Sequence, residues 1–428
     1  MDRPPTTKPG AISLGQVGRY RYALIAVLWV VFCLAAFDRA SISVLLVDPA
    51  FLDEMGLRGD PQRQGLLMTL LLVPYALANV LLSPLADWWG PRRVFAAMAA
   101  AWAGAAAVMG TAGSFATMIL GRILRGAAEG PLFPVANRYV KYWFPPNERG
   151  RANGIWLTGQ PLGLAGAVPL LTLIIFAWGW RAAFFLQVAL LLALALPVVW
   201  FLTADTPAKS PRVGAAERDH IAAGTAAEPT AAGRWQSGLG SLLGNYRYWL
   251  AVTFHLATLA VYNGLATWLP QYLHAERGFD LTGMAFFAAL PYLGSTGTTL
   301  VFGFVSDRYA RRAVFCTLGL AGAALGITLA AVAPDPVLSA LLIALGFVAW
   351  GITMPNYYAI IQRIVPAGIV ATGSGIDNGL ANLGSSLAPL AFGVLIASTG
   401  SYMPGLLLLA GVGLAGALAA FVLAWQRY

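Results

Sequence analysis

The stretch 121–154, GRILRGAAEGPLFPVANRYVKYWFPPNERGRANG, decides the fold of this 428-residue chain. It places Arg122, Arg125 and Glu129 inside an apolar run long enough to cross a bilayer, then leaves through a basic, proline-containing loop. The three charges are spaced i, i+3 and i+7, so at 3.6 residues per turn they share one face of a helix. An ion at the centre of a membrane-spanning helix costs about 2.5–3.5 kcal/mol on insertion scales. Three on one face therefore point to a polar pathway between helices rather than to a lipid-facing surface.

Outward from that stretch, the composition agrees. The chain is 58% hydrophobic and 11% charged, with a mean hydropathy of +0.69, whereas soluble domains are about a quarter charged. It reads as an all-α polytopic membrane protein. With about 20 apolar residues per span, spans are predicted over 21–47, 64–87, 93–112, 115–140, 152–177 and 182–203. Six more are predicted over 247–273, 283–306, 312–333, 337–362, 369–397 and 402–425. The expected organisation is a tail over 1–20, a six-helix half over 21–203, a polar linker over 204–246 with at most a short helix, and a second six-helix half over 247–428. The tail carries Pro4, Pro5 and Pro9, and the apolar run after it is too long for a signal-peptide core, so no processing is expected.

The net charge of +9 reports orientation. With both termini and the linker in the cytoplasm, nineteen Lys and Arg fall on the inner side and four on the outer, while Arg39, Arg122, Arg125 and Arg138 fall within spans. That is a strong positive-inside pattern, and it removes the reason to invoke a nucleic-acid partner. Cys33 and Cys316 lie about 280 residues apart in apolar runs and are expected in the core, with no metal-ligand spacing.

The chain also repeats itself. LADWWGPRRV at 85–94 recurs as VSDRYARRAV at 305–314. Asp87 precedes Pro145 by 58 residues, and Asp307 precedes Pro366 by 59. Two landmarks at matching spacing imply two parallel six-helix halves, with a site at their interface near the bilayer midplane.

These residues resemble the major facilitator superfamily: twelve spans, a long central loop, and an aspartate followed by two arginines after spans two and eight. Within it, FDRASISV (37–44), GRILRGAAEG (121–130), WFPPNERGRANG (143–154), GWRAAFF (179–185), TWLPQYL (267–273) and NGLANLG (378–384) are similar to the anion:cation symporter family. That family includes bacterial carriers of sugar and aromatic acids and vertebrate vesicular glutamate and sialic acid transporters. The first turn departs from the family pattern at Ser83 and Trp88, whereas Gly303, Asp307 and Arg308 keep it.

Several residues invite chemical roles. Arg39 sits mid-span after Asp38, and its guanidinium offers a planar fork of donors to a carboxylate; the alternative is a permanent structural pair with Asp38 or Glu129. Burial raises the pKa of Glu129 and the neighbouring arginines lower it, so an anion that engages the arginines would favour its protonation. The alternative is a closed pair of Glu129 with Arg122. The resemblance implies that Arg39 and Arg122 hold the anion, that Asp38 and Glu129 couple protons, and that Tyr75 and Gln160 contact polar substrate groups. Without it, Tyr75 reads as a packing aromatic and Gln160 as part of a glycine-rich helix contact. Tyr262, Asn263, Trp350, Asn378 and Asn382 are candidates for the other wall, supplying neutral groups from the second half. Asp377 is an additional acid, either a second proton site or a residue near the cytoplasmic end, and His255 reads as packing. Asp87, Arg92, Arg93, Asp307, Arg311 and Arg312 are candidate gating residues.

The function these readings imply is proton-coupled uptake of a small organic anion across a bacterial inner membrane by a monomer, with the proton as coupling ion and no cofactor or metal. A proton-driven exporter of drugs or metabolites is the rival. A transporter-like sensor would bind without flux. A membrane-embedded enzyme would need a nucleophile and base or metal ligands, and three scattered histidines supply neither.

Overall fold

Apolar runs bounded by prolines, glycines and short polar caps fold into twelve helical rods. The computed structural model describes residues 18–46, 48–58, 60–225, 235–309 and 311–427. In the first half the rods are α1 (Tyr20–Leu45), α2 (Pro61–Leu81), α3 (Pro91–Gly110), α4 (Phe115–Glu129 and Leu132–Trp143), α5 (Arg149–Leu157 and Gly159–Trp178) and α6 (Trp180–Leu190 running on to Leu196–Leu202). In the second half they are α7 (Tyr246–Gln271), α8 (Leu281–Tyr309), α9 (Arg312–Val332), α10 (Pro336–Gly351 and Thr353–Ile364), α11 (Val370–Ser385 and Leu387–Thr399) and α12 (Met403–Trp425). Rods four and five are interrupted in each half at equivalent places, so the internal repeat extends to local irregularities.

Among the described residues ten rods are long and apolar enough to cross a membrane. Of the other two, α2 is apolar from Leu66 onward in the sequence, and α4 is the polar one. The α4 rod carries Arg122, Arg125, Glu129, Arg138 and Lys141. Large apolar side chains such as Leu173, Phe176, Leu300 and Leu390 stand exposed on the rods, as expected where lipid tails are the solvent. The protein is an integral membrane protein of twelve helices in two pseudo-symmetric halves.

Glycines set how closely the rods approach. A Cβ on Gly163 would lie 2.6 Å from the Cα of Cys33, and one on Gly126 2.3 Å from the Leu71 carbonyl oxygen. These contacts press α5 onto α1 and α4 onto α2, in the small-residue packing that membrane helices use. Similar contacts join the halves. A Cβ on Gly303 of α8 would meet the Gly150 carbonyl of α5 at 2.8 Å, and one on Gly375 of α11 would meet the Asn79 carbonyl of α2 at 2.2 Å. The extensive contacts between halves pair α2 with α11, α5 with α8 and α10, and the second segment of α4 with α11. All lie toward the end that carries the Asp87 and Asp307 turns, called the basic end below.

The linker holds more structure than its composition suggests. Helices Ala215–Thr225 and Trp235–Leu243 lie within it. Glu217 accepts hydrogen bonds from the Tyr20 and Arg21 amides, both at 3.1 Å, and from the Arg21 guanidinium at 2.9 Å. Arg21 also pairs with Glu148 at 2.9 Å, and His220 lies 3.0 Å from the same carboxylate. Burial pushes the Glu148 carboxyl up, but Arg21 and the hydrogen bonds from Arg21 and His220 together hold it below its ordinary value. The linker helix thus ties the start of α1 to the loop between α4 and α5. Cys33 and Cys316 are free thiols in α1 and α9.

Candidate functional site

At the basic end each half caps a helix of the other. The first four amides of a helix have no partner within it, and a carboxylate at the N-cap normally takes the second or third. Here the carboxylate comes from the opposite half. Asp307 of α8 accepts from the amides of Gly150 at 2.8 Å and Arg151 at 2.9 Å, in the first turn of α5. Asp87, just beyond α2, accepts from the amides of Ala371 at 3.1 Å and Thr372 at 2.8 Å, in the first turn of α11. Of the arginines the sequence places nearby, Arg312 pairs with its aspartate, whereas Arg92, Arg93 and Arg311 do not. Asp87 pairs with Arg138 of α4, while Arg92 bonds to Asp205 and the Trp200 carbonyl and stacks over the Trp200 ring at 4.7 Å. Asp307 pairs with Arg151 at 3.0 Å and Arg312 at 2.9 Å; Arg93 and Arg311 are exposed.

A neutral network continues the closure inward. Gln362 of α10 donates to Asn137 of α4 at 2.7 Å and to Asn153 of α5 at 3.1 Å, with all three side chains buried. Lys141 donates to the Val365 carbonyl at 2.7 Å, past the end of α10. Sequence reading passed over Asn137, Asn153 and Gln362. Spacing does not mark them: Asn137 lies eight residues before Pro145 and Gln362 four before Pro366, so they are not equivalent in the repeat.

In the first half the charges of α4 are fully enclosed. Arg122, Arg125 and Glu129 are 1%, 0% and 1% exposed. Arg122 Nε donates to the Leu67 carbonyl of α2 at 2.8 Å. Arg125 pairs with Glu129 at 2.9 Å and lies 3.7 Å above the Trp102 ring of α3, a cation–π contact that gains when desolvated. The expected structural partner of Glu129, Arg122, is therefore replaced by Arg125, one helical turn before it. Phe37 of α1 and Trp102 of α3 line the same narrow crevice; the side chains of Asp38 and Arg39 lie outside the described residues.

The other candidates form two groups. Tyr75, Asn378 and Asn382 come together on a polar ladder. Asn378 donates to Asn79 at 2.7 Å and to the Tyr75 hydroxyl at 3.3 Å, and Asn382 donates to the Asn378 carboxamide oxygen at 3.0 Å. Ser385 links this ladder to Asn263, whose amide donates to it at 3.1 Å. The second group is aromatic: Tyr262 stacks on Trp350 at 5.4 Å, with Phe347 and Tyr292 around it. The Trp350 indole donates to the Thr258 carbonyl at 3.1 Å, which fixes the ring. Gln160 is half-buried, one residue past the Gly159 contact with Trp29.

The second half is not wholly neutral, contrary to the sequence-based expectation. His255 of α7 is no simple packing residue: its Nδ1 lies 3.0 Å from the Asp377 carboxylate of α11, both side chains 1% exposed. Together these features give a structure sealed at the basic end and built around buried charge in one half and a hydrogen-bonding, aromatic wall in the other. That combination can hold a small polar anion.

Residues 28–389 match the family described as the Major Facilitator Superfamily, with a further match over 286–428. A probable sulfoacetate transporter of Cupriavidus necator is 34% identical over 407 residues, covering 89% of each chain. A hexuronate transporter of Bacillus subtilis is 26% identical over 395 residues, also covering 89% of each. Among solved structures, the transporter FucP in its outward conformation superposes with a TM-score of 0.75 at 14% identity, covering 96% of this chain and 100% of that one.

Proposed function

The chain belongs to the Major Facilitator Superfamily and is a transporter rather than an enzyme, and we propose that it takes up a small hydrophilic organic anion together with protons. The observation that carries this reading is the enclosed charge on α4: two arginines and a glutamate at most 1% exposed. Ions held at that cost in a membrane are retained for function by default, and a cation-rich cluster suits an anionic cargo. The similarity to carriers named for sulfoacetate and hexuronate favours carboxylates and sulfonates with few carbons, including sugar acids.

In this reading Arg39 and Arg122 hold the anion, with Tyr75, Gln160, Asn263, Asn378 and Asn382 binding its polar groups and Tyr262 and Trp350 packing on its carbon frame. Asp38 and Glu129 take protons. An anion that draws the arginines away from Glu129 raises that acid's proton affinity, so the two ligands bind cooperatively. One proton per monovalent anion moves no net charge, and each further proton adds about 2.3 kcal/mol of driving force per 100 mV. The basic end is cytoplasmic, with both termini and the linker on that side of a bacterial inner membrane, so the sealed state faces outward. The tail over 1–20 and the linker over 204–246 flank two halves that rock as units, and a monomer suffices.

The test is a thermal-shift screen of the purified chain in mild detergent with D-galactonate, D-glucuronate, sulfoacetate, benzoate, neutral hexoses and tetraphenylphosphonium. A ligand at 100 times its Kd adds about 2.7 kcal/mol of apparent stability. Stabilisation by a carboxylate or sulfonate, and not by the matching neutral sugar, is the expected result. Stabilisation by the lipophilic cation alone would replace this reading with export of cations.

A further inference from the structure

We propose that His255 and Asp377 form a second proton-binding site, in the C-terminal half, which holds one proton while the cytoplasmic end is sealed and releases it when that end opens. The proposal rests on reading the basic end as cytoplasmic and the chain as proton-coupled, and deepens it by adding a site apart from α4.

Geometry isolates the pair. His255 Nδ1 and Asp377 Oδ2 are 3.0 Å apart with 1% side-chain exposure each, and among the described residues Asp377 has no other ion-pair partner. His255 Nε2 and Asp377 Oδ1 are buried without a hydrogen bond. The groups around the pair are phenols. From α10, the Tyr357 ring stacks against the imidazole at 4.4 Å with its hydroxyl facing Asp377, and Tyr358 meets the imidazole edge-on at 6.0 Å. From α7, Tyr248 lies within reach of the Asp377 charge and donates to the Gly373 carbonyl at 2.6 Å. From α2, the Tyr75 hydroxyl accepts from Asn378, the neighbour of Asp377, at 3.3 Å. The cations of α4 that approach α11 are engaged elsewhere, Arg138 with Asp87 and Lys141 with the Val365 carbonyl.

Charge accounting gives the proton count. With one shared proton the pair is neutral as a whole, either as imidazolium and carboxylate or as imidazole and carboxylic acid. Without it a net negative charge is buried among phenols with no compensating cation among the described residues, which is unfavourable. The sealed state therefore keeps the proton. His255 lies seven residues beyond Tyr248, about 10 Å into the rod. Asp377 lies five residues beyond Thr372, whose amide Asp87 caps, and next to Asn378, which bonds across to Asn79. Withdrawal of α11 from α2 brings water to the site and gives the proton a route out.

The linkage is measurable without substrate. The full chain, with Cys33 and Cys316 replaced by alanine, is spin-labelled at Asn147→Cys and Gly368→Cys, exposed positions after α4 and α10, and reconstituted in nanodiscs. Distance distributions from pH 5 to 9 give the ratio of sealed to open states. One extra proton bound in the sealed state makes that ratio fall as the pH rises, by up to about tenfold per pH unit. Asp377→Asn is expected to remove that component and stay sealed at high pH, and Glu129→Gln to leave the difference between parent and Asp377→Asn intact. Equal slopes in parent and Asp377→Asn would overturn the proposal, as would loss of all pH response in Glu129→Gln. If Asp377→Asn does not fold, His255→Asn serves: the acid alone must then hold the proton, so the responsive interval moves, and an unmoved interval overturns the proposal. A chain that binds no carboxylate in the screen yet keeps the Asp377-dependent slope rejects the anion reading and retains this site.

Discussion

Arg122→Ala is expected to lower carboxylate affinity by roughly thirty- to several-thousand-fold while leaving the twelve-rod fold in place. Arg122 is 1% exposed and its Nε is held by the Leu67 carbonyl of the neighbouring rod. That bond fixes the plane of the guanidinium, so in the proposed role little conformational entropy is lost on binding. Removing one partner of a buried, hydrogen-bonded charge pair costs about 2–5 kcal/mol, which corresponds to the stated range in Kd at 1.4 kcal/mol per decade. Arg122→Lys keeps the charge but loses both the Leu67 anchor and the fork, so it should fall between the parent and alanine. Ligand-induced thermal shift with the anion found in the screen, beside uptake into proteoliposomes, measures the effect. An affinity within threefold of the parent would place the anion away from α4.

The second large effect concerns the seal. Asp307 accepts from two amides at the start of α5 and from Arg151 and Arg312. Asp307→Ala leaves those donors without their carboxylate whenever the end is closed, whereas in the open state water serves them. Only the closed state is penalised. With hydrogen bonds to charged groups worth about 1.5–3 kcal/mol, a penalty near 2–3 kcal/mol shifts the ratio toward the open state by roughly thirty- to a hundred-and-fifty-fold. Ser374, 1% exposed on α11, is a sheltered reporter. In a chain otherwise free of cysteine, a Ser374→Cys thiol should react with a maleimide faster by about that factor when Asp307 is replaced. A rate within twofold of the parent would show that the seal does not depend on this aspartate.

The rods were legible in the sequence because the bilayer imposes a length and a polarity on each, and the chain answers with apolar runs of matching length. The repeated aspartate turns were legible for the same reason that they recur: each half must cap a helix of the other. What was not legible is pairing across long separations. Arg138 and Asp87 are 51 residues apart, and His255 and Asp377 are 122 apart; nothing in spacing selects Arg138 over Arg92, or turns a lone histidine into half of a pair. Within one rod, helical spacing put Arg122, Arg125 and Glu129 on one face, yet it could not say that Arg125 would lie over Trp102 and take Glu129. Those choices belong to packing between rods. The linker misled for a different reason. Its composition is that of a disordered segment, and its first helix is ordered by the docking of one carboxylate, Glu217, onto Arg21.

The cross-half capping carries a further consequence for how the molecule's motion can be watched. The amides of Gly150, Arg151, Ala371 and Thr372 occupy the first helical turn, where no internal carbonyl reaches them, and each is held by a carboxylate of the opposite half. Their protection from solvent deuterium therefore lasts only as long as the two halves stay together, unlike that of amides deeper in the same rods, which outlives the separation. Four hydrogens act as a clock of the transport cycle, one pair in each half. Unequal exchange of the two pairs would reveal that the ends of the pseudo-twofold do not part simultaneously.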